Sequence, residues 1–168
     1  DEQTAYFAKE KVSIGFLLSW LMLVQLTIES GDDEKALTTA TKSLEIAQSP
    51  KINNYIFTIY FQKILSEIYL RKGDLTAAKM YIEKSVVIAK QFNLKYQLIE
   101  LYLSYGEYMQ ELMRLSKNYS PQNVSLTSEL YNKAVLAAKE LKLENLTEKT
   151  VRARSDFKAF CQLNNVEV

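Results

Sequence analysis

With 168 residues, 48% apolar and 24% charged, the chain is long enough to bury a substantial core and too apolar to be a disordered segment. Only 4 glycines and 2 prolines leave too few turn residues for a β-sandwich or a doubly wound sheet, which favours long helices with few connections. The formal net charge of +1, with both signs mixed along the chain, lacks the basic block of a nucleic-acid footprint, and 1 cysteine with 0 histidines excludes a disulfide framework and the usual zinc site.

The first helix is predicted from about Thr4 to Ser30, ending at Gly31, which is free to take the left-handed conformation of a helix C-terminus. Within it, the apolar run Ile14 to Leu26 is only about thirteen residues long and carries Ser19 and Gln25, too short and too polar for a membrane span. It is expected to be a helix buried on most sides. Asp1, Glu2 and Glu10 precede it where a signal peptide would be positive. The sequence opens on an aspartate and is expected to be a piece of a longer protein.

Asp32 or Asp33 caps the next helix. Its stripe Ala36, Ala40, Ser43, Leu44 and Ala47 has helical spacing, and the helix stops near Ser49-Pro50. A third helix runs from about Asn53 to Lys72 and ends at Gly73. Asp74 caps a fourth, which reaches about Gln91 with Leu75, Ala78, Ile82, Ser85, Val86 and Ala89 buried. Ala78 and Ser85 are expected at the closest contact between the third and fourth helices. A fifth helix spans about Leu94 to Ser116. Lys117 to Ser125 reads as a long exposed turn and the least ordered internal segment, because it is polar and contains Pro121. The sixth helix is expected from Leu126 to Leu141. A last helix, about Leu146 to Leu163, has a solvated face with Lys149, Arg152, Arg154 and Lys158. Cys161, between Phe160 and Leu163, is expected as a small apolar packing residue there.

These elements repeat. Gly31-Asp32 and Gly73-Asp74 lie 42 residues apart, and Ala36, Lys42, Ser43, Ile46 and Ala47 recur at the same offset as Ala78, Lys84, Ser85, Ile88 and Ala89. Lys133, Val135 and Ala138 repeat Lys84, Val86 and Ala89 at an offset of 49, the excess falling on the polar segment after Ser116. A fixed period of this size is the signature of stacked helical hairpins. Three units are expected, over about 4–49, 51–91 and 94–142, with a capping helix over 146–163, in a single all-α domain over 1–168.

The second unit resembles a tetratricopeptide repeat. With Gly73 as the turn glycine, Tyr69 and Leu65 fall on the aromatic and leucine positions of the first helix. Ala78, Ile82 and Ser85 fall on the small, large and small positions of the second. The first unit matches through Gly31, Ala36 and Ser43, and the third more loosely through Tyr105-Gly106, Tyr131 and Ala134. Gln62 stands where tryptophan is usual, the helix-ending proline is missing from the second unit, and the period is longer than the family's. The resemblance implies an α-α superhelix of about three TPR-like hairpins. Repeats this long resemble those in regulatory regions of bacterial transcription activators. Armadillo- and HEAT-type helical pairs share the period and stay open.

The resemblance also implies where partners bind: the first helices of such hairpins line a concave face. The positions concerned are Tyr60, Lys63, Glu67 and Arg71 in the second unit. They are Leu18, Leu21, Gln25 and Glu29 in the first, and Glu100, Leu103, Glu107 and Glu111 in the third. The Lys/Asn pattern of a carboxylate clamp is not reproduced, since Glu67 stands where asparagine belongs. The many tyrosines read as packing between helices rather than a ligand cage. With no histidine, no glycine-rich phosphate loop, and carboxylates that alternate with lysines on helix faces, an enzyme reading has no support, and no cofactor is implied. The expectation is a cytoplasmic, non-catalytic module that binds a protein or peptide, without direct nucleic-acid contact or membrane insertion and with homo-oligomerisation allowed. It is read as a sensor or regulatory domain of a larger bacterial transcription regulator. The alternative is a structural scaffold whose ends contact neighbouring domains.

Overall fold

The computed structural model describes residues 2–167, and their side chains from residue 14 onward. Among the described residues there are seven α-helices and no strand: α1 Glu2–Glu29, α2 Asp33–Gln48, α3 Tyr55–Arg71, α4 Leu75–Gln91, α5 Lys95–Ser116, α6 Pro121–Glu140 and α7 Glu144–Leu163. Each helix packs on the next in chain order, and the α3/α4 and α5/α6 contacts are the most extensive. The result is an all-α helical-repeat superhelix.

Local chemistry sets the turns. Gly31 and Gly73 hold φ of +76° and +77°, a left-handed conformation in which a Cβ would be strained. The carboxylates that follow then cap the next helices, Asp32 accepting from the Lys35 N–H at 3.0 Å and Asp74 from that of Ala77 at 2.9 Å. After α4 and α6 the same left-handed turn is made without glycine, by Asn93 and Lys142. The α2–α3 connection uses Asn53 at φ 43°, and Asn54 caps Tyr55–Arg71, so α3 starts two residues later than its sequence predicts.

The turn after α5 is a larger correction. Lys117 is left-handed, Ser120 caps, and Pro121 is the first residue of α6, so residues 121–125 are helix rather than loop. Proline is tolerated at this position because the N–H it lacks would have no helical partner there.

Packing follows the repeat frame. Ala78 and Ser85 are fully buried, and Ser66 of α3 donates to the Ala78 carbonyl of α4 at 2.8 Å. Ser85 Oγ lies 3.2 Å from the amide oxygen of Gln62, so the buried glutamine in the tryptophan position has a polar contact across the hairpin. Tyr69 and Tyr81 stack at 5.7 Å, and Tyr131 packs on Phe157 at 5.6 Å. At Gly106 the α5 backbone approaches α6 so closely that a Cβ would stand 2.7 Å from the Tyr131 ring. Cys161 is buried in the same C-terminal cluster.

The apolar run in α1 departs from expectation. Leu17 and Val24 are buried against α2 and α3, but Ile14, Phe16, Leu18, Met22, Leu23 and Leu26 are all exposed. Burial on most sides requires a neighbour on each, and among the described residues α1 packs extensively on α2 alone.

Candidate partner-binding site

The odd-numbered helices touch one another, α3 with α5 and α5 with α7, while the even-numbered ones make no comparable contacts among the described residues. A curved stack crowds its inner layer and splays its outer one, so α3, α5 and α7 are the inner layer. Charged residues from all three meet there. Lys63 Nζ of α3 lies 2.7 Å from Glu67 one turn on. Ser104 of α5 donates to the same Glu67 carboxylate at 3.4 Å. Lys149 of α7 reaches the Glu100 carboxylate of α5 at 3.3 Å.

These groups feel one another. Burial acts to lower the pKa of Lys63, but Glu67, Glu100 and Glu107 outweigh it and hold the ammonium above the ordinary lysine value. Glu107 is displaced as well. Loss of water around its carboxyl, then the charge of Glu67, push it above the usual carboxylate range, against the pull of Lys63 and Lys149. Glu107 forms no ion pair within 4.0 Å among the described residues. The inner face therefore holds one carboxylate in an environment that opposes its charge.

Of the residues named from sequence, Lys63, Glu67, Glu100 and Glu107 come together. Arg71 is engaged elsewhere: its guanidinium pairs with Asp33 of α2 at 2.7 Å, and the adjacent Lys72 pairs with Glu34. Tyr60 is half-buried, edge-on to Phe57 at 6.4 Å. Gln25 and Glu29 are exposed on α1, remote in sequence from the charged group. Leu103 is a correction, because it is 2% exposed in the core shared with Ile99 and Tyr131 and offers no surface to a partner. Its position lies one helical turn after Ile99, on the face that must be buried. Glu111 is held below the usual carboxylate range by the bond it accepts from Arg114 at 2.7 Å. Lys149 was absent from the sequence-derived set, because nothing local indicates that α7 folds its lysine against Glu100.

A second concavity lies on the outer side, an open groove of about 1000 Å³ over α4. Leu44 and Gln48 of α2 form one wall, Met80, Lys84 and Val87 of α4 the floor, and Tyr108 of α5 contributes at the other side. Met80, Lys84 and Val87 recur at helical spacing on the exposed side of α4, a signal present in the sequence but indistinguishable there from an ordinary solvated stripe.

The repeat chemistry is matched independently. Residues 64–92, the second half of α3 and all of α4, match the tetratricopeptide repeat. The α3/α4 hairpin is TPR-like. Repeats of this type generally mediate protein–protein interaction and are non-catalytic. A comparison with curated proteins gave no match. No described helix is long and apolar enough to cross a membrane.

Proposed function

We propose that this TPR-like domain is a non-catalytic binding module whose inner face receives a basic side chain of a protein or peptide between α3, α5 and α7. The observation that carries the reading is the convergence of Glu67, Glu100 and Glu107 from α3 and α5 around Lys63, with Glu107 exposed and in no ion pair within 4.0 Å among the described residues. A lysine or arginine from a partner would supply the missing countercharge, and Glu67 and Glu100 flank the position. The long repeat and its resemblance to regulatory regions support a role as the cytoplasmic sensor domain of a larger bacterial transcription regulator.

Panning a phage-displayed peptide library against the domain tests the inner face. Enriched peptides are expected to carry Lys or Arg and to lose about 1.5–3 kcal/mol of affinity to Glu100→Gln/Glu107→Gln, the range for a hydrogen bond to a charged group. Peptides that bind this variant normally, but are lost on Val87→Glu in the outer groove, would overturn the assignment and favour a scaffold working through its outer side.

A further inference from the structure

The exposed side of α1 is set by the repeat frame. Shifting by 42 residues places Leu17 on Ile59 and Val24 on Ser66, and all four are buried. These positions face the interior of each hairpin, and the two units agree there. The same shift places Met22 on Ile64, Leu23 on Leu65 and Leu26 on Ile68. Here the units disagree. Ile64, Leu65 and Ile68 are 8%, 0% and 0% exposed, whereas Met22, Leu23 and Leu26 are 63%, 43% and 61% exposed. In α3 these three residues share a core cluster with Ala36, Ala40, Leu44 and Ala47 of the preceding helix α2. Phe16 follows the same rule, 46% exposed where its counterpart Thr58 is 4% exposed.

We propose that this face of α1 docks an amphipathic helix of the α2 type, one with an uncharged contact stripe of alanine and serine. The packing already present inside the stack supplies the template, since α2 covers the equivalent face of α3. The chemistry of the surface agrees: Ile14 to Ile28 contains no charged residue, and its projecting side chains are large. Large side chains fit against a small-residue stripe, which lets the two helix axes approach closely. A second copy of this chain is poorly suited to provide that stripe. The small residues Ala36, Ala40, Ser43 and Ala47 of α2, Ala78, Ser85 and Ala89 of α4, and Ala134 and Ala138 of α6 are already 0% exposed. The outward side of α7 carries Glu148, Arg152, Asp156 and Lys158 instead. The α1 surface is separate from the charged inner face, and its occupant does not depend on what binds there.

The test uses a fluorescent peptide with the sequence of residues 33–48, held helical by a hydrocarbon staple on its polar side so that binding bears no folding cost. Anisotropy titration against the intact chain is expected to give saturable binding. Met22→Lys/Leu26→Lys should weaken it roughly tenfold or more, which is 1.4 kcal/mol per factor of ten. Val87→Lys on the outer side of α4 and Glu107→Gln on the inner face should leave it unchanged. Both lysine substitutions fall on exposed positions, and an unchanged circular dichroism melt would establish that the variant folds. No binding by the wild-type chain, or equal binding by the double variant, overturns the proposal. So does sedimentation of the wild-type chain as a dimer that the double variant dissolves and the peptide does not displace, because a second copy would then be the occupant.

Discussion

Glu107 lies one helical turn beyond Leu103 and close enough to Glu67 for their like charges to oppose each other. Lost water and Glu67 raise its pKa in the folded chain, so the fold favours the protonated carboxyl. Stability from this group is therefore complete below the unfolded pKa and is lost as pH rises through the folded one. Glu107→Gln removes the charge and is expected to raise the urea midpoint at neutral pH. The gain is on the order of a few tenths of a kcal/mol, because the side chain remains open to solvent screening. It should vanish as pH falls through the carboxylate range, where the wild-type group is itself neutral. A gain that persists in acid would mean that packing of the amide, not relief of charge, is responsible. Lys63 is shifted upward as well, because Glu67, Glu100 and Glu107 together outweigh its burial and hold its proton.

At the scale of the element, α6 shows how a cap and a proline jointly define a helix start. Ser120 accepts from the Asn123 N–H at 3.4 Å, and Pro121 follows with its backbone angle already set for a helix. Ser120→Ala is expected to lower stability by about 0.5–2 kcal/mol, toward the lower end because the bond is long. A thermal melt measures it. Limited proteolysis is expected to cut within residues 117–120 and to spare 121–125, since a protease needs an extended backbone. First cleavage inside 121–125 would contradict the helix start described above. The polar composition of this stretch reads as loop because Ser, Asn and Pro favour turns and helix starts alike, and only the backbone distinguishes the two.

For the whole molecule, stability is a chain of neighbour contacts. α3 is flanked by α2, α4 and α5, whereas α1 packs extensively on α2 alone and α7 chiefly on α6. In a linear stack the members with fewest neighbours open first. Hydrogen exchange is therefore expected to be slowest in α3 and α4 and fastest in α1 and α7, with the stapled peptide adding protection to α1. Slowest exchange in α7 would show that the terminal hairpin nucleates the stack. The Arg71–Asp33 and Lys72–Glu34 pairs also cross between units, but their exposure limits them to small contributions beside the apolar clusters.

What the sequence determined by itself is the part with short-range causes. The 42-residue frame, the seven helices, the aspartate caps after Gly31 and Gly73, and the buried Ala78 and Ser85 all follow from residues within a turn or one repeat of each other. Lys63 and Glu67 were also legible as neighbours, because four residues along a helix brings side chains together. The tertiary structure decided the rest. It turned Arg71 to Asp33, set Lys149 against Glu100, buried Leu103 and left Met22 and Leu26 in solvent. Hydrophobic spacing records which residues favour burial, but whether a neighbour stands opposite them depends on how successive hairpins stack. The same holds for charge: periodicity places a carboxylate on a face, and only the packing of α3, α5 and α7 decides which other charges it meets.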